Sequence, residues 1–102
     1  MWSTDELPDS QAEPLFPLGQ IVATPGALDL LDRAAVNSAD LLKRHQHGDW
    51  GAVLPEDAEE NVKSVANGWR VMSVYYLNES ERIWVITEAD RSATTLLLPF
   101  EY

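Results

Sequence analysis

WRVMSVYYLNESERIWVITEADRSATTLLL, residues 69–98, is the stretch of sequence that decides the fold. Three β-forming runs alternate here with two turn-like clusters, Asn-Glu-Ser-Glu at 78–81 and Ala-Asp-Arg-Ser at 89–92. Short connections of this kind join antiparallel neighbours. The stretch therefore predicts a three-stranded antiparallel β-meander, and Pro99 is expected to end its last strand.

Both faces of this predicted sheet carry apolar side chains, including Trp84 and Ile86, so we expect both faces to be covered. In one arrangement the helices cover one face and the apolar strip at 15–18 covers the other. In the alternative arrangement a homodimer or another partner protein binds the second face, because Trp and Tyr are frequent at the centres of interfaces. The sequence leaves both arrangements open.

Upstream of the meander, the sequence predicts one short strand and three helices. The run at 20–24 is typical of a strand, and Thr24 with Pro25 favours the start of a helix over 25–34. Two further helices are predicted over 38–46 and 56–67, the last with an apolar stripe that it would bury, Ala58, Val62, Val65 and Ala66. The predicted fold is α+β with three short helices and an antiparallel meander of three to four strands, in the order β-α-α-α-β-β-β.

The first fourteen residues contain four acidic side chains, two prolines and no basic side chain. We interpret 1–14 as an acidic flexible tail and 15–102 as a single α+β domain. The sequence shows no signal-peptide pattern and no apolar run that could span a membrane. It also contains no cysteine, which excludes disulfides and thiolate chemistry. We therefore expect a cytoplasmic protein without a membrane partner.

Charge is the strongest compositional feature of the chain. Seventeen acidic and seven basic side chains give a formal net charge of −10. Such a surface repels phosphates, and the largest basic cluster is Lys43-Arg44, so we expect no direct binding to nucleic acid. The charge suits a protein partner with a basic surface, although acidity also serves solubility alone.

The densest acidic cluster lies where the third helix begins, after a loop that contains a tryptophan. A contact with a basic partner would combine an aromatic anchor with carboxylates that steer the encounter. The candidate partner-binding residues are Trp50, Asp49, Glu56, Asp57, Glu59 and Glu60. Two structural interpretations stay open, because Trp50 could instead fill the core and acids at a helix start are stabilised by the helix dipole.

His45, His47 and Asp49 form an H-x-H-x-D pattern with the spacing of metal ligands. On a helix, however, residues two apart point in roughly opposite directions, and no fourth ligand lies nearby in the sequence. His45 also falls at a core-facing position of the second helix. We therefore expect a buried structural histidine and neither a metal nor another cofactor.

The hairpin between the last two strands holds the densest mixture of polar side chains. It could form the site of a small ligand-binding module or enzyme, with the candidate residues Glu88, Asp90, Arg91, Thr94 and Thr95. Ordinary turn chemistry explains the same composition. The sequence contains no nucleophile elbow, phosphate-binding loop or dinucleotide-binding glycine pattern, so we assign no catalytic residue.

Three stretches resemble a family of short bacterial proteins that occur on plasmids and integrative elements. They are LFPLGQIVATPGALDLL at 15–31, RHQHGDWG at 44–51 and IWVITEADRSATTLLLPFEY at 83–102. Members of this family often carry the label "type I restriction endonuclease subunit M" or "plasmid-related protein". A methyltransferase subunit requires a methyl-donor domain and an Asn/Asp-Pro-Pro-aromatic motif, and these 102 residues contain neither.

The resemblance implies an accessory protein of a mobile genetic element and supplies no catalytic residues. Together with the charge, it predicts a non-enzymatic protein that acts through protein–protein interaction. Such a protein would inhibit a host DNA-targeting defence such as restriction, because an acidic surface suits the basic channel of a DNA-binding enzyme.

Overall fold

The computed structural model describes residues 13–102, so the predicted acidic tail lies outside the described residues except for Glu13 and Pro14. The elements, in chain order, are β1 (Gln20–Ala23), α1 (Pro25–Arg33), α2 (Ser38–Gln46), α3 (Pro55–Asn67), β2 (Val71–Tyr76), β3 (Arg82–Thr87), β4 (Ala93–Leu97) and a C-terminal 3₁₀ turn (Pro99–Glu101). This order confirms the predicted α+β fold. Within 13–102, no helix has the length and apolar character needed to cross a membrane.

The four strands form one sheet in the spatial order β1-β4-β3-β2. The meander of β2, β3 and β4 is antiparallel, as predicted. The meander has three strands and not four, because β1 pairs with β4 in parallel. Three helices and two strands separate β1 from β4 in the chain. A connection of that length can return the chain in either direction, so it does not impose antiparallel pairing.

The helices and the strip at 15–18 lie on the same face of the sheet. The larger core cluster joins the helices to the strands through Ala27, Leu31, Leu41, Leu42, Tyr75, Ile83, Val85 and Leu96. A second cluster joins Phe16 of the strip to Trp50 and Val71. Val71 shares its sheet face with Tyr75, so the prediction that the strip covers the opposite face is wrong.

The C-terminal residues pack on that opposite face. The ring centroid of Tyr102 lies 5.5 Å from that of Trp84, in an edge-on arrangement. Glu101 fixes the 3₁₀ turn, because its carboxylate accepts a 2.6 Å hydrogen bond from the Thr24 hydroxyl and a 2.8 Å bond from the Leu98 amide. Tyr76 at the margin of this face is exposed, so a partner at the second face stays a prediction.

Helix α3 buries polar side chains where an apolar stripe was predicted. Asn61 and Ser64 are its buried residues, whereas Val62 is exposed. The Asn61 amide donates to the carbonyl of Met72 at 2.7 Å and accepts from the amide of Met72 at 3.1 Å. The stripe prediction is right for Ala58 and Val65, which pack against the second core cluster, and wrong for Val62 and Ala66, which are exposed. The buried polar residues belong to the face of α3 that meets the hydrogen-bonding edge of β2 and satisfies its backbone groups.

The loop before α3 closes the next part of the same edge. Val74 donates to the Trp50 carbonyl at 3.0 Å and accepts from the Ala52 amide at 2.7 Å, which places Gly51 directly beside β2. Gly51 has a φ of 72°, and a Cβ added there would overlap the carbonyl oxygen of Val74. Only glycine permits this close approach between the loop and the strand.

Replacing Gly51 with Ala should lower the free energy of unfolding by about 3 kcal/mol or more, because the side chain would displace the loop from β2. Gly68 provides a matched control, since it also has a positive φ of 71° but has no atom within 4 Å of an added Cβ. Gly68→Ala should lower the free energy of unfolding by only about 1–2 kcal/mol. Urea denaturation of both variants would contradict this account if the two losses were equal.

Candidate functional site

A chain of hydrogen bonds runs through the protein interior beneath α2. His45 has no exposed surface, and its Nδ1 lies 2.6 Å from the Ser73 hydroxyl. Its Nε2 lies 2.9 Å from the Thr87 hydroxyl, which lies 2.7 Å from that of Thr94. Thr94 in turn donates to the Leu18 carbonyl at 2.8 Å. This chain joins α2, three strands of the meander and the strip at 15–18.

The directions of these bonds follow from the last acceptor. The Leu18 carbonyl only accepts, so Thr94 donates to it and therefore accepts from Thr87. Thr87 then accepts from Nε2 of His45, so Nε2 carries a proton. Because burial disfavours the charged form, the imidazole is neutral, and Nδ1 therefore accepts from the Ser73 hydroxyl.

Aromatic rings and a cation surround this imidazole. The rings of Phe16 and Trp50 stand edge-on to His45, with centroids 5.2 Å and 6.1 Å away. The guanidinium of Arg91 lies over the outer side of the Phe16 ring at 5.3 Å. Burial lowers the pKa of His45 to about 4, and the positive charge of Arg91 acts in the same direction.

Ser73, His45 and Thr87 have the side-chain types of a nucleophile, a base and an orienting group, but they are enclosed. All three are fully buried, so a substrate cannot reach them in this conformation. The prediction of a buried structural histidine is confirmed. The hydroxyl partners of His45 were not predicted, although the alternation of β2 places Ser73 on the inward-facing side with Val71 and Tyr75.

Arg91 of the predicted ligand hairpin binds the protein itself. Its guanidinium donates to the carbonyls of Trp69 at 2.6 Å, Ser64 at 2.9 Å and Glu88 at 3.1 Å. These contacts tie the hairpin to the end of α3. A ligand that needed this cation would have to displace three hydrogen bonds from backbone carbonyls.

The other hairpin candidates do not converge on one point. The Asp90 carboxylate accepts from the Ser92 amide at 3.0 Å, which is ordinary turn chemistry. The side chain of Ser92, and next its amide, lower the pKa of Asp90. Thr94 is buried in the hydrogen-bond chain. Glu88 is exposed and Thr95 is half-buried, and Thr95 lies on the sheet face opposite to Thr94.

The H-x-H-x-D pattern is divided among different partners. His45 belongs to the buried chain, and Nδ1 of His47 lies 2.7 Å from the carbonyl oxygen of Lys43. Asp49 pairs with Arg44 at 2.7 Å, and this hydrogen bond lowers the pKa of Asp49. Across residues 13–102 no three His, Cys, Asp or Glu side chains are grouped closely enough to hold a metal ion.

The predicted aromatic anchor does not lie on the surface. Trp50 is only 8% exposed and stacks on Phe16 with a centroid distance of 6.5 Å. Of the two interpretations of Trp50, the structure therefore agrees with the one in which its ring fills the core. A buried ring cannot be presented to a partner, and the anchor assignment of Trp50 is wrong. The four predicted carboxylates of α3, by contrast, are all exposed: Glu56, Asp57, Glu59 and Glu60.

A different tryptophan lines a groove together with two of these carboxylates. A groove of about 380 Å³ runs between α3 and β2, and its lining includes Val53, Asp57, Glu60, Trp69 and Met72. Trp69 is 50% exposed although its backbone is held by two hydrogen bonds, from its amide to the Ser64 carbonyl and from Arg91 to its carbonyl. We call this surface the α3–β2 groove. It combines an accessible aromatic ring, apolar side chains and carboxylates.

The polar stripe of α3 builds one wall of this groove. Asp57, Glu60, Asn61 and Ser64 follow the helical spacing i, i+3, i+4, i+7, so they share the helix face toward β2. Lys63 lies 3.8 Å from Glu60, but both side chains are exposed and such a pair contributes at most about 1 kcal/mol. The wall therefore keeps an excess of negative charge.

Arg70 is the one cation among the described residues that line the groove, and it contacts Tyr102 on the sheet face away from the helices. Its guanidinium carbon lies 5.7 Å from the ring centroid of Tyr102. A larger hollow of about 680 Å³ lies beside α2, but it has mixed charge, with Lys43 and Arg44 next to Asp40 and Asp49. The α3–β2 groove is the better candidate for a basic partner, because its carboxylates and an exposed tryptophan line the same groove.

The buried histidine predicts a pH-dependent stability. The unfolded chain takes up a proton near the ordinary pKa of 6.5, whereas folded His45 resists protonation until about 4. This stabilisation is complete above pH 6.5 and is lost as the pH falls toward 4, which amounts to about 3 kcal/mol. We expect the free energy of unfolding of His45→Gln, measured by urea denaturation, to fall less between pH 6.5 and pH 4 than that of the wild type. The carboxylates titrate in both proteins, so only the difference between the two losses reports on His45. Equal losses would contradict the conclusion that His45 is buried in its neutral form.

Comparison of the chain with protein-family models found no matching family. Comparisons with curated proteins and with solved structures also found no match. The resemblance of 15–31, 44–51 and 83–102 to proteins of mobile elements therefore stays a prediction. Function has to be argued from the geometry and charge of the described residues.

Proposed function

We propose that this protein is a non-enzymatic accessory protein that binds a basic surface of another protein through the α3–β2 groove. The observation that carries the proposal is that exposed Trp69 lines the same groove as Asp57 and Glu60. An Arg or Lys side chain of the partner would lie against the Trp69 ring and pair with the carboxylates. Val53 and Met72 supply adjoining apolar surface.

The charge of the chain supports this class of partner. The net charge is −10, and Glu56 and Glu59 extend the negative surface along the exposed side of α3. Carboxylates at the rim of an interface mainly accelerate association, whereas a desolvated aromatic ring at its centre supplies binding energy. The α3–β2 groove offers both carboxylates and an aromatic ring. The aromatic residue in this proposal is Trp69, in place of Trp50, which the sequence suggested.

The target that suits this surface is the basic DNA channel of a host defence enzyme, such as a type I restriction enzyme, in the cytoplasm. The support is the resemblance to mobile-element proteins together with the acidic surface. An accessory protein of a plasmid or integrative element would protect that element by occupying the channel. The enzyme or ligand-binding alternative has less support, because Arg91 and Thr94 of the hairpin are bound within the fold.

We expect neutralisation of the α3 carboxylates to slow binding to a purified type I restriction enzyme. The variant carries Glu56→Gln, Asp57→Asn, Glu59→Gln and Glu60→Gln, and its association rate at low ionic strength should fall about tenfold. The matched control removes four exposed acids elsewhere, through Asp32→Asn, Asp40→Asn, Glu79→Gln and Glu88→Gln. Surface plasmon resonance should show a smaller loss for the control.

Equal losses for the two quadruple variants would mean that total charge, not the α3–β2 groove, governs association. Absence of binding by the wild-type protein, together with undiminished DNA cleavage by the enzyme, would contradict restriction as the target. At about 0.5 M NaCl the wild type and the α3 variant should associate at similar rates, because screening shortens the range of the charges.

The aromatic contact is tested separately through Trp69→Ala. We expect the dissociation constant to rise about thirtyfold, chiefly through faster dissociation, as for an interface hot spot. Phe100→Ala is the control, since Phe100 is an exposed aromatic residue on the C-terminal 3₁₀ turn. Thermal melts should show that both variants fold. An unchanged dissociation constant for Trp69→Ala would exclude Trp69 as the anchor.

A further inference from the structure

The outer edge of β1 carries backbone groups without a strand partner in the described part of the chain. Gln20 donates to the Ser92 carbonyl and Thr24 donates to the Leu96 carbonyl, both at 3.0 Å. Because backbone groups alternate in direction along a strand, the amides and carbonyls of Ile21 and Ala23 point away from β4. They lie in the plane of the sheet at its open side.

The two edges of the sheet differ in how they are covered. At the β2 edge, Asn61 satisfies the backbone of Met72, and the loop at 50–52 satisfies that of Val74. Edge strands are commonly protected by such a cover, by charges or by proline. Within residues 13–102, strand β1 has no such cover, and its four residues, Gln-Ile-Val-Ala, include neither a charge nor a proline.

The exposed side chains of β1 are also suited to strand pairing. Ile21 is 44% and Val22 is 41% exposed, on opposite faces of the sheet. β-Branched side chains at a free edge favour the addition of another strand. The open edge, its neutral sequence and these two residues together point to a binding surface for an extended segment.

We infer that this edge binds β1 of a second copy of this chain, in an antiparallel pair around a two-fold axis at Val22. In this register Ile21 lies opposite Ala23 of the second copy, and both residues carry outward-facing backbone groups. Two such pairs exchange roughly four backbone hydrogen bonds. The strand is therefore complementary to itself, and the two four-stranded sheets become one continuous sheet.

The charge of the chain gives this dimer a characteristic response to salt. Two copies with a net charge of −10 repel each other, whereas the pairing strand itself is uncharged. Salt screens the repulsion and leaves the backbone hydrogen bonds nearly unaffected. The dimer therefore strengthens with ionic strength, which is opposite to the response of a complex between an acidic groove and a basic partner.

Sedimentation equilibrium of the full-length protein tests the dimer, at about 0.05 M and about 0.5 M NaCl. We expect a reversible dimer whose dissociation constant is lower at the higher salt concentration. Ile21→Lys should raise that constant at least about tenfold, because a charge would have to be desolvated beside the paired strands. Val62→Lys, the same kind of change at an exposed position on α3, should leave the constant nearly unchanged.

Ile21→Pro is the second variant. It removes the outward-facing amide N–H of residue 21 and leaves the hydrogen bonds between β1 and β4 in place. Hydrogen exchange of the wild-type protein tests the same pairing without any substitution. The amides of Ile21 and Ala23 should gain protection as the protein concentration rises, whereas that of Val22 stays protected throughout. A monomer at high concentration and high salt, or a dimer without this concentration-dependent protection, would overturn the inference.

Discussion

A single neutral imidazole, fully enclosed, connects helix α2 to the three strands of the meander. His45 of α2 bonds to Ser73 of β2 and Thr87 of β3, and the chain continues through Thr94 of β4 to the Leu18 carbonyl. Each hydroxyl in this chain is hydrogen-bonded to the next group. Removing one group would leave a buried polar group unpaired, which costs about 1–3 kcal/mol. The strip at 15–18 therefore packs on the helix side of the sheet, where its carbonyl completes the chain.

This constraint determines where function can lie. The histidine, the serine and the threonines that would otherwise suggest catalysis are used to hold elements together, and Arg91 holds the hairpin against α3 by the same kind of bond. What the fold leaves accessible is carboxylates, exposed aromatic rings and one open strand edge. Such surfaces bind other proteins more readily than they transform small molecules.

Local patterns predicted the elements of this fold correctly, and the failures concern contacts between distant residues. The meander and the three helices follow from periodicity and turn residues. The parallel pairing of β1 depends on where the chain returns after the helices, and the burial of Trp50 depends on Phe16 and His45. The exposed tryptophan of the candidate site was missed because Trp69 follows the end of α3, and only the folded chain brings it into one groove with the carboxylates of the first turns of that helix.

The polar face of α3 explains why the groove and the open edge lie on opposite sides of the molecule. Asn61 closes the β2 edge, and Asp57, one turn earlier on the same face, lines the groove, so that wall is already ordered before a partner binds. Strand β1 is at the other end of the sheet. A dimer formed there would place its two β2 edges about 34 Å apart, from seven intervals of about 4.8 Å. Two grooves on one rigid sheet could then engage two basic surfaces of a multisubunit enzyme at once, which raises the effective affinity without any new contact.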